Sequence, residues 1–158
     1  MIRVSDDPID AGEALAAFEQ TLNDAGGLVT FTGRVRPESK SGRVTSLILQ
    51  AYSPMTEKGI EAALAEAKTR WPLSNAHILH RTGKMLPGET IVFVATASKH
   101  RRSAFEAADF LMDYLKTEAV FWKKETTDKG ADWIEPRTDD YQDAARWRDE
   151  KVSKRWLE

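Results

Sequence analysis

The order of strand-like and helix-like segments is the feature of this chain that most constrains its fold. β-rich runs occupy residues 28–35, 44–52, 76–81 and 90–98, and helical patterns lie among them without strict strand–helix alternation. Parallel α/β folds require that alternation, so the pattern predicts an α+β fold or a mixed two-layer sandwich. We expect the first two of these strands to pair antiparallel across a mobile, turn-forming segment at residues 36–42.

Four segments show helical spacing of apolar residues or helix-boundary residues. The predicted helices cover residues 11–25, 54–70, 99–117 and 140–148. Asp10 and Glu13 form a capping-box pattern before the first helix, and Ser98 is placed to cap the third. The third helix has an apolar face made of Ala104, Phe105, Ala108, Leu111, Met112 and Leu115. A short strand at residues 2–4 and a hairpin around residues 128–130 complete the prediction.

Composition narrows the class of protein. The 158 residues suit a single domain with a hydrophobic core, which we assign to residues 1–150, followed by a tail at residues 151–158. The net charge of −2 gives no general attraction to nucleic acid or to acidic membranes. The absence of cysteine excludes disulfides and thiolate metal sites, and no apolar run reaches transmembrane length. We therefore expect a cytoplasmic protein with no membrane span, bound metal or cofactor.

Two lysines seven residues apart form the pattern most suggestive of chemistry. Lys116 closes the third predicted helix, and Lys123 lies in an aromatic-flanked run just beyond it. Two nearby amines raise each other's cost of protonation, so one of them can act as an acid–base group. The spacing also fits two solvated side chains, because a lysine in the last helical turn is favoured by the helix dipole.

Other cations cluster at the start of the third helix. His100 and Arg101 fall where free backbone N–H groups and positive side chains can together hold an anion. The alternative is that these side chains turn away into water or that the helix starts later.

A second cationic cluster ends the strand at residues 28–35. Arg34 and Arg36 flank Val35, and on an extended strand both arginines leave the same face. Their guanidinium groups could grip a phosphate or carboxylate, although an exposed strand end explains them as well.

The run from residue 121 to residue 125 alternates aromatic and charged side chains as a strand does. Phe121 and Trp122 can stack a planar ring beside Lys123, Lys124 and Glu125, or the run is a half-buried edge strand whose lysines reach solvent. Together with the other cations it predicts a positive cleft in a chain of negative net charge. That localisation favours a small anionic substrate over a nucleic-acid tract.

Seven motifs, collinear over roughly residues 26 to 137, carry a resemblance to a known family. They are VTFTGRVR at 29–36, AYxxMxxK at 51–58, HRxG at 80–83, PGExxV at 87–92, HRxxAF at 100–105, DYLK at 113–116 and FWKKE at 121–125. With these motifs the chain resembles the large, catalytic subunit of molybdopterin synthase, as in MoaE-like proteins. It departs from the family pattern at Gln50, Lys99 and Val120, none of which removes a group implied in catalysis.

The resemblance implies an α/β hammerhead fold with a mixed or antiparallel sheet and a small additional β-subdomain. It also implies a homodimer in which each catalytic subunit binds a small ubiquitin-like sulfur carrier, giving a heterotetramer. The carrier would end in a Gly-Gly thiocarboxylate, and the substrate would be cyclic pyranopterin monophosphate, converted to the dithiolene of molybdopterin. Arg101 and Lys116 lie about 22 Å apart along one helix, so we expect each site to be shared between two subunits.

The same resemblance assigns roles to individual residues. Lys116 and Lys123 are implied as the catalytic residues. The implied substrate-binding residues are Arg34, Val35, Arg36, His100, Arg101, Lys116, Lys123, Lys124 and Glu125. We expect a groove lined by Phe31, Met112 and Phe121 to receive the carrier tail. The alternative function is a non-catalytic module that binds a ubiquitin-like protein or a phospholigand.

Overall fold

The structure is a computed structural model that describes residues 1–148. Within them, the strands are Ile2–Ser5 (β1), Gly27–Arg34 (β2), Glu38–Ser39 (β3), Gly42–Ala51 (β4), Leu73–Arg81 (β5), Gly83–Met85 (β6), Thr90–Ser98 (β7), Phe121–Thr127 (β8) and Gly130–Ile134 (β9). The helices are Ala11–Glu19 (α1), Met55–Arg70 (α2), Arg101–Thr117 (α3) and Thr138–Ala145 (α4), followed by a 3-10 turn at Arg146–Arg148. No helix in this part of the chain is long and apolar enough to cross a membrane. The tail predicted at residues 151–158 lies outside the described residues, so the division into one domain and a tail stays a prediction.

The first sheet has the strand order β1-β5-β7-β2, in which β1 and β5 are parallel and the other neighbours antiparallel. β7 is a continuous apolar run because both of its faces are covered. Val92 and Val94 pack in the core formed with α2 and α3, whereas Phe93 and Ala95 pack in the core formed with α1. The alternation of side chains along β7 therefore builds one core layer on each side of the sheet.

The second sheet has the order β3-β4-β8-β9, with β6 also paired to β4. Its strands are antiparallel, and Leu49 on β4 packs with Met85 on β6 and with Val35 in a third, smaller core. This sheet corresponds to the expected small β-subdomain. The mixed fold with two sheets and helices on the first of them confirms the predicted fold class.

The predicted pairing of the first two long strands is wrong. β2 pairs with β7, and β4 pairs with β8, so the two strands belong to different sheets. Local patterns identify strands but do not specify partners, and here both partners lie far along the chain. The segment expected to be a mobile loop contains β3, which turns back onto β4 through Gly42 at φ +127°.

Three helix details also differ from the predictions. α1 ends at Glu19 rather than near Gly26. A hydrogen-bonded turn ends it, in which the backbone N–H and the hydroxyl of Thr21 both donate to the carbonyl of Phe18. α3 begins at Arg101 rather than directly after Ser98, whose hydroxyl donates to a backbone carbonyl preceding β5. Phe105, predicted on the buried face of α3, is 58% exposed.

Leu111→Ala tests the packing of α3 on the first sheet. Leu111 is fully buried between α3 and that sheet, so we expect the substitution to lower the free energy of unfolding by about 2–5 kcal/mol. Leu86→Ala is the matched control, because Leu86 is 52% exposed and should change stability by less than about 0.5 kcal/mol. Urea unfolding monitored by circular dichroism measures both; equal losses would contradict the packing described.

Candidate active site

A cavity of about 460 Å³, here called the lysine cavity, lies where the end of α3 meets β8, β9 and the start of α4. Its cationic side chains are Arg36, Lys116, Lys123 and Arg137. Its acidic side chains are Glu135 and Asp140, and its aromatic side chains are Phe121, Trp122, Trp133 and Tyr141. An excess of positive charge within aromatic walls suits a flat, anionic ligand.

A tight turn after α3 places the two predicted catalytic lysines in this one cavity. The amides of residues 118 and 119 donate to the carbonyl of Tyr114 at 2.9 and 3.0 Å, which ends the helix and reverses the chain. The buried hydroxyl of Thr56 donates to the carbonyl of Val120 at 2.6 Å and fixes the turn to α2. β8 then returns along the end of α3, so the spacing of seven residues brings Lys116 and Lys123 to the same space.

The cavity changes the proton affinity of Lys123. Burial lowers the pKa of its ammonium from 10.5 to about 8, the charge of Lys116 acts in the same direction, and Asp140 opposes them. A group with a pKa near 8 exchanges its proton readily close to neutral pH, which suits general acid–base catalysis. Lys116 lies in the last turn of α3 and is exposed.

His80 lies behind the aromatic wall and adds no further charge. Its ring stacks on Phe121 with centroids 4.0 Å apart, and its Nδ1 lies 3.1 Å from the carbonyl oxygen of Arg81. A carbonyl can only accept, so Nδ1 carries the proton. Burial lowers the pKa of His80 to about 4, the bond to Arg81 opposes this, and the charges of Lys123 and Lys116 add to it. His80 is therefore neutral and supports the ring of Phe121.

Arg34, at the end of β2, and Arg36, just after it, do not project to the same place. The register of β2 shifts at Gly33 and Arg34, and the Nε of Arg34 donates to the carbonyl of Gly88 at 2.9 Å. Arg36 lines the lysine cavity, whereas Val35 between them is buried in the core of the second sheet. The bulge interrupts the extended strand, so Arg34 holds the turn before β7 and Arg36 is left to contact a ligand.

His100 and Arg101 lie at the opposite end of α3 from the lysine cavity. Both are exposed, and His100 is the N-cap residue of the helix. Fifteen residues separate Arg101 from Lys116, which is about 22 Å along the helix axis. A single protomer therefore does not bring His100 and Arg101 close to Lys116 and Lys123.

Lys124 and Glu125 do not line the lysine cavity. The Nζ of Lys124 lies 5.8 Å from the ring centroid of Trp133. The Oε1 of Glu125 accepts a hydrogen bond of 2.5 Å from the hydroxyl of Ser39 on β3. Within one protomer these residues hold β9 and β3 against β8.

The three residues predicted to form a carrier-tail groove are divided between two cavities. Phe121 lines the lysine cavity, whereas Phe31 and Met112 line a second cavity of about 520 Å³ between β2, α3 and the 3-10 turn. Phe105 and Trp147 also line the second cavity. One protomer thus does not contain a single groove made of the three predicted residues.

The sequence did not identify Arg137 and Asp140 as residues of the site. The backbone N–H of Arg137 donates to Asp140 Oδ2 at 2.8 Å, and its guanidinium donates to Oδ1 at 3.3 Å. Arg137 and Asp140 do not match the usual capping-box residues, so only the fold reveals this helix cap and places it beside the lysines. No cluster of three metal-ligating side chains occurs within residues 1–148.

Lys116→Ala tests the electrostatic coupling of the two lysines. The charge of Lys116 lowers the pKa of Lys123, so removing it should raise the titration midpoint of Lys123 above about 8. Lys side-chain NMR resonances followed across alkaline pH measure this midpoint. Lys124→Ala is the control that removes a neighbouring lysine outside the cavity; a larger shift in the control than in Lys116→Ala would contradict the coupling.

Comparisons with known proteins identify the family of the chain. The family model described as MoaE protein matches residues 4–118. The molybdopterin synthase catalytic subunit of Escherichia coli is 46% identical over 146 residues, covering 92% of this chain and 97% of that protein. Its counterpart in Caulobacter vibrioides is 45% identical over 150 residues, covering 95% and 99%.

Solved structures give the same result. A molybdopterin biosynthesis MoaE protein from Burkholderia ambifaria has a TM-score of 0.79 at 43% identity, covering 95% of this chain and 99% of its own. Molybdopterin synthase from Staphylococcus aureus has a TM-score of 0.75 at 30% identity, covering 84% and 95%. By sequence and by fold, the chain belongs to the MoaE family of molybdopterin synthase catalytic subunits, which are sulfur-transferring enzymes.

Proposed function

We propose that the enzyme moves sulfur from the C-terminal Gly-Gly thiocarboxylate of a small ubiquitin-like carrier to cyclic pyranopterin monophosphate, forming the dithiolene of molybdopterin. The observation that carries this proposal is the lysine cavity, in which Lys123, with a pKa of about 8, lies among other cations. Both reactants are anionic, one through its thiocarboxylate and the other through its phosphate. Cationic side chains can neutralise both charges in one enclosed space.

The carrier sulfur is the nucleophile, so the chain needs no cysteine. The sulfur attacks a pterin carbon, and a carbon–oxygen bond at that carbon breaks as the oxygen leaves with the bonding electron pair. Water then attacks the carrier's carbonyl carbon and the carbon–sulfur bond there breaks, so that the sulfur stays on the pterin and the carrier leaves as a carboxylate. The attacking water loses a proton, and neutral Lys123 accepts it. Lys116 holds the carrier's terminal carboxylate or activates the substrate. Two sulfurs require two carriers in succession, so the half-sulfurated intermediate stays bound.

The rim of the lysine cavity supports a protein partner. Trp122 and Trp133 are 56% and 62% exposed, and their ring centroids lie 6.0 Å apart. Exposed tryptophans beside a pocket are typical anchors of protein interfaces. A chain from Helicobacter pylori, in a complex of subunits 1 and 2 of molybdopterin-converting factor, shares the fold at 20% identity with a TM-score of 0.72. We therefore assign the tryptophan rim to the carrier and the cavity behind it to the carrier tail.

Exposed apolar side chains on β2 and α3 support a homodimer. Leu28, Phe31 and Phe105 are 37%, 45% and 58% exposed, and β2 is one of the two edge strands of the first sheet. Proteins cover apolar strand edges of this kind. We propose a two-fold axis at this face that brings the His100–Arg101 end of α3 to the lysine cavity of the partner. With one carrier on each catalytic subunit the assembly is a heterotetramer, which we assign to the reducing cytoplasm.

Lys116→Ala and Lys123→Ala should each reduce dithiolene formation while the fold survives. Loss of a positioned acid–base or charge-neutralising group lowers the rate by about 10²–10⁴-fold. The assay mixes the protein with thiocarboxylated carrier and cyclic pterin and measures the dithiolene product. Lys129→Ala, an exposed lysine in the turn between β8 and β9, should leave the rate unchanged. Near-normal turnover in both cavity variants would contradict the assignment.

Mixing two inactive variants tests the shared site. Arg101→Ala protein and Lys123→Ala protein should regain activity when their subunits exchange, because a mixed dimer contains one intact site of the two. The measurement is dithiolene formation after exchange, with mixed dimers verified by native mass spectrometry. Verified mixed dimers without recovered activity would show that each site comes from one chain.

A further inference from the structure

Asp140 has a mostly buried carboxylate in a cavity whose charged side chains are mainly cationic. Its side chain is 12% exposed, whereas Glu135, the other acidic residue lining the cavity, is exposed. Asp140 is the third residue of α4 and accepts hydrogen bonds from both the backbone and the guanidinium of Arg137. The carboxylate thus fixes the start of α4 against the cavity and holds a cationic side chain there.

Asp140 also lies within electrostatic reach of both lysines. Burial raises the pKa of its carboxyl, but hydrogen bonds from Arg137 and the charges of Arg137 and Lys116 outweigh burial, so the net pKa is lowered. The ionised carboxylate in turn favours the charged form of Lys123. The side chain of Asp140 therefore links the N-terminal cap of α4 to the protonation of Lys123.

The other charged or titratable groups around Lys123 come from several neighbouring elements. They are Lys116 from α3, His80 from β5, Arg36 after β2, Glu135 and Arg137 before α4, and Tyr141 from α4. Most of these groups are cationic or neutral. Removing the charge of Asp140 would leave the cations of the cavity opposed mainly by the exposed carboxylate of Glu135.

We propose that Asp140 is a positioning residue of the active site, which orients Arg137 over the lysine cavity and balances the ammonium of Lys123 before the anionic substrates bind. The inference rests on the proposed sulfur transfer and adds a residue to it. The carrier arrives as a thiocarboxylate and leaves as a carboxylate, so the cavity must attract an anion and then release one. A fixed negative charge within the cavity limits how tightly the product anion is held.

Asp140→Asn separates the charge from the helix cap, because the amide oxygen can still accept a bond from the backbone of Arg137. With the carboxylate gone, the ammonium of Lys123 loses a favourable partner, so its titration midpoint should fall below the wild-type value of about 8. NMR titration of Lys123 in the free protein measures this midpoint. Asp140→Glu keeps the charge and should retain most of the wild-type midpoint.

Asp139→Asn is the matched control, because Asp139 is an exposed carboxylate in the same helical turn and does not line the cavity. An unchanged midpoint in Asp140→Asn, or an equal fall in the control, overturns the proposal. If the substitution instead released α4 and exposed Lys123 to water, the midpoint would rise toward 10.5, and the balancing role would also be overturned. The titration needs neither carrier nor pterin, so failure of the sulfur-transfer assay would not affect it.

Discussion

Thr56 joins three elements through one buried hydroxyl. The side chain is 1% exposed, donates to the carbonyl of Val120 at 2.6 Å and accepts from the amide of Tyr52 at 2.8 Å. It therefore connects the end of β4, the first turn of α2 and the turn between α3 and β8. Without the hydroxyl, a carbonyl and an amide would lack these partners, at a cost of about 1–3 kcal/mol for each such group when buried. The positions of Lys116 and Lys123 relative to each other depend on this turn.

Burial of charged Lys123 in the cavity lowers the stability of the folded chain. A fall in pKa from 10.5 to about 8 corresponds to about 3 kcal/mol against the charged form. Below the lowered pKa the cost is present in full. Between about 8 and 10.5 it declines as the pH rises, because the folded chain has released the proton that the unfolded chain still binds. Packing elsewhere must offset it, as is common where a side chain is tuned for proton transfer.

The sequence was sufficient to predict elements whose ends carry local signals. Helix α2 lies between Ser53-Pro54 and Trp71-Pro72 as predicted, because proline and the residue before it restrict the backbone locally. The pairing of Lys116 and Lys123 could be predicted because a short turn after a helix leaves few arrangements for the residues on either side of it. Strand partners were not predictable in this way, since β2 and β4 pair with strands far along the chain. The separation of Arg34 from Arg36, and the arrival of Asp140 at the cavity, likewise depend on tertiary contacts.

The long-range pairing of the second sheet has a consequence for the order of folding. The amide of Arg43 bonds to the side chain of Asp128, and the hydroxyl of Thr45 bonds to the carbonyl of Thr126, across 85 and 81 residues of chain. Pairing within the first sheet also spans long stretches of chain, such as 75 residues between Met1 and Ala76, and loop-closure entropy grows only slowly with length. The order of synthesis therefore separates the two sheets. During synthesis, β1, β2, β5 and β7 are complete once Ser98 has left the ribosome, whereas the cavity also needs Asp140. A nascent chain can thus hold a folded first sheet and an unpaired β4 edge while it still lacks an active site.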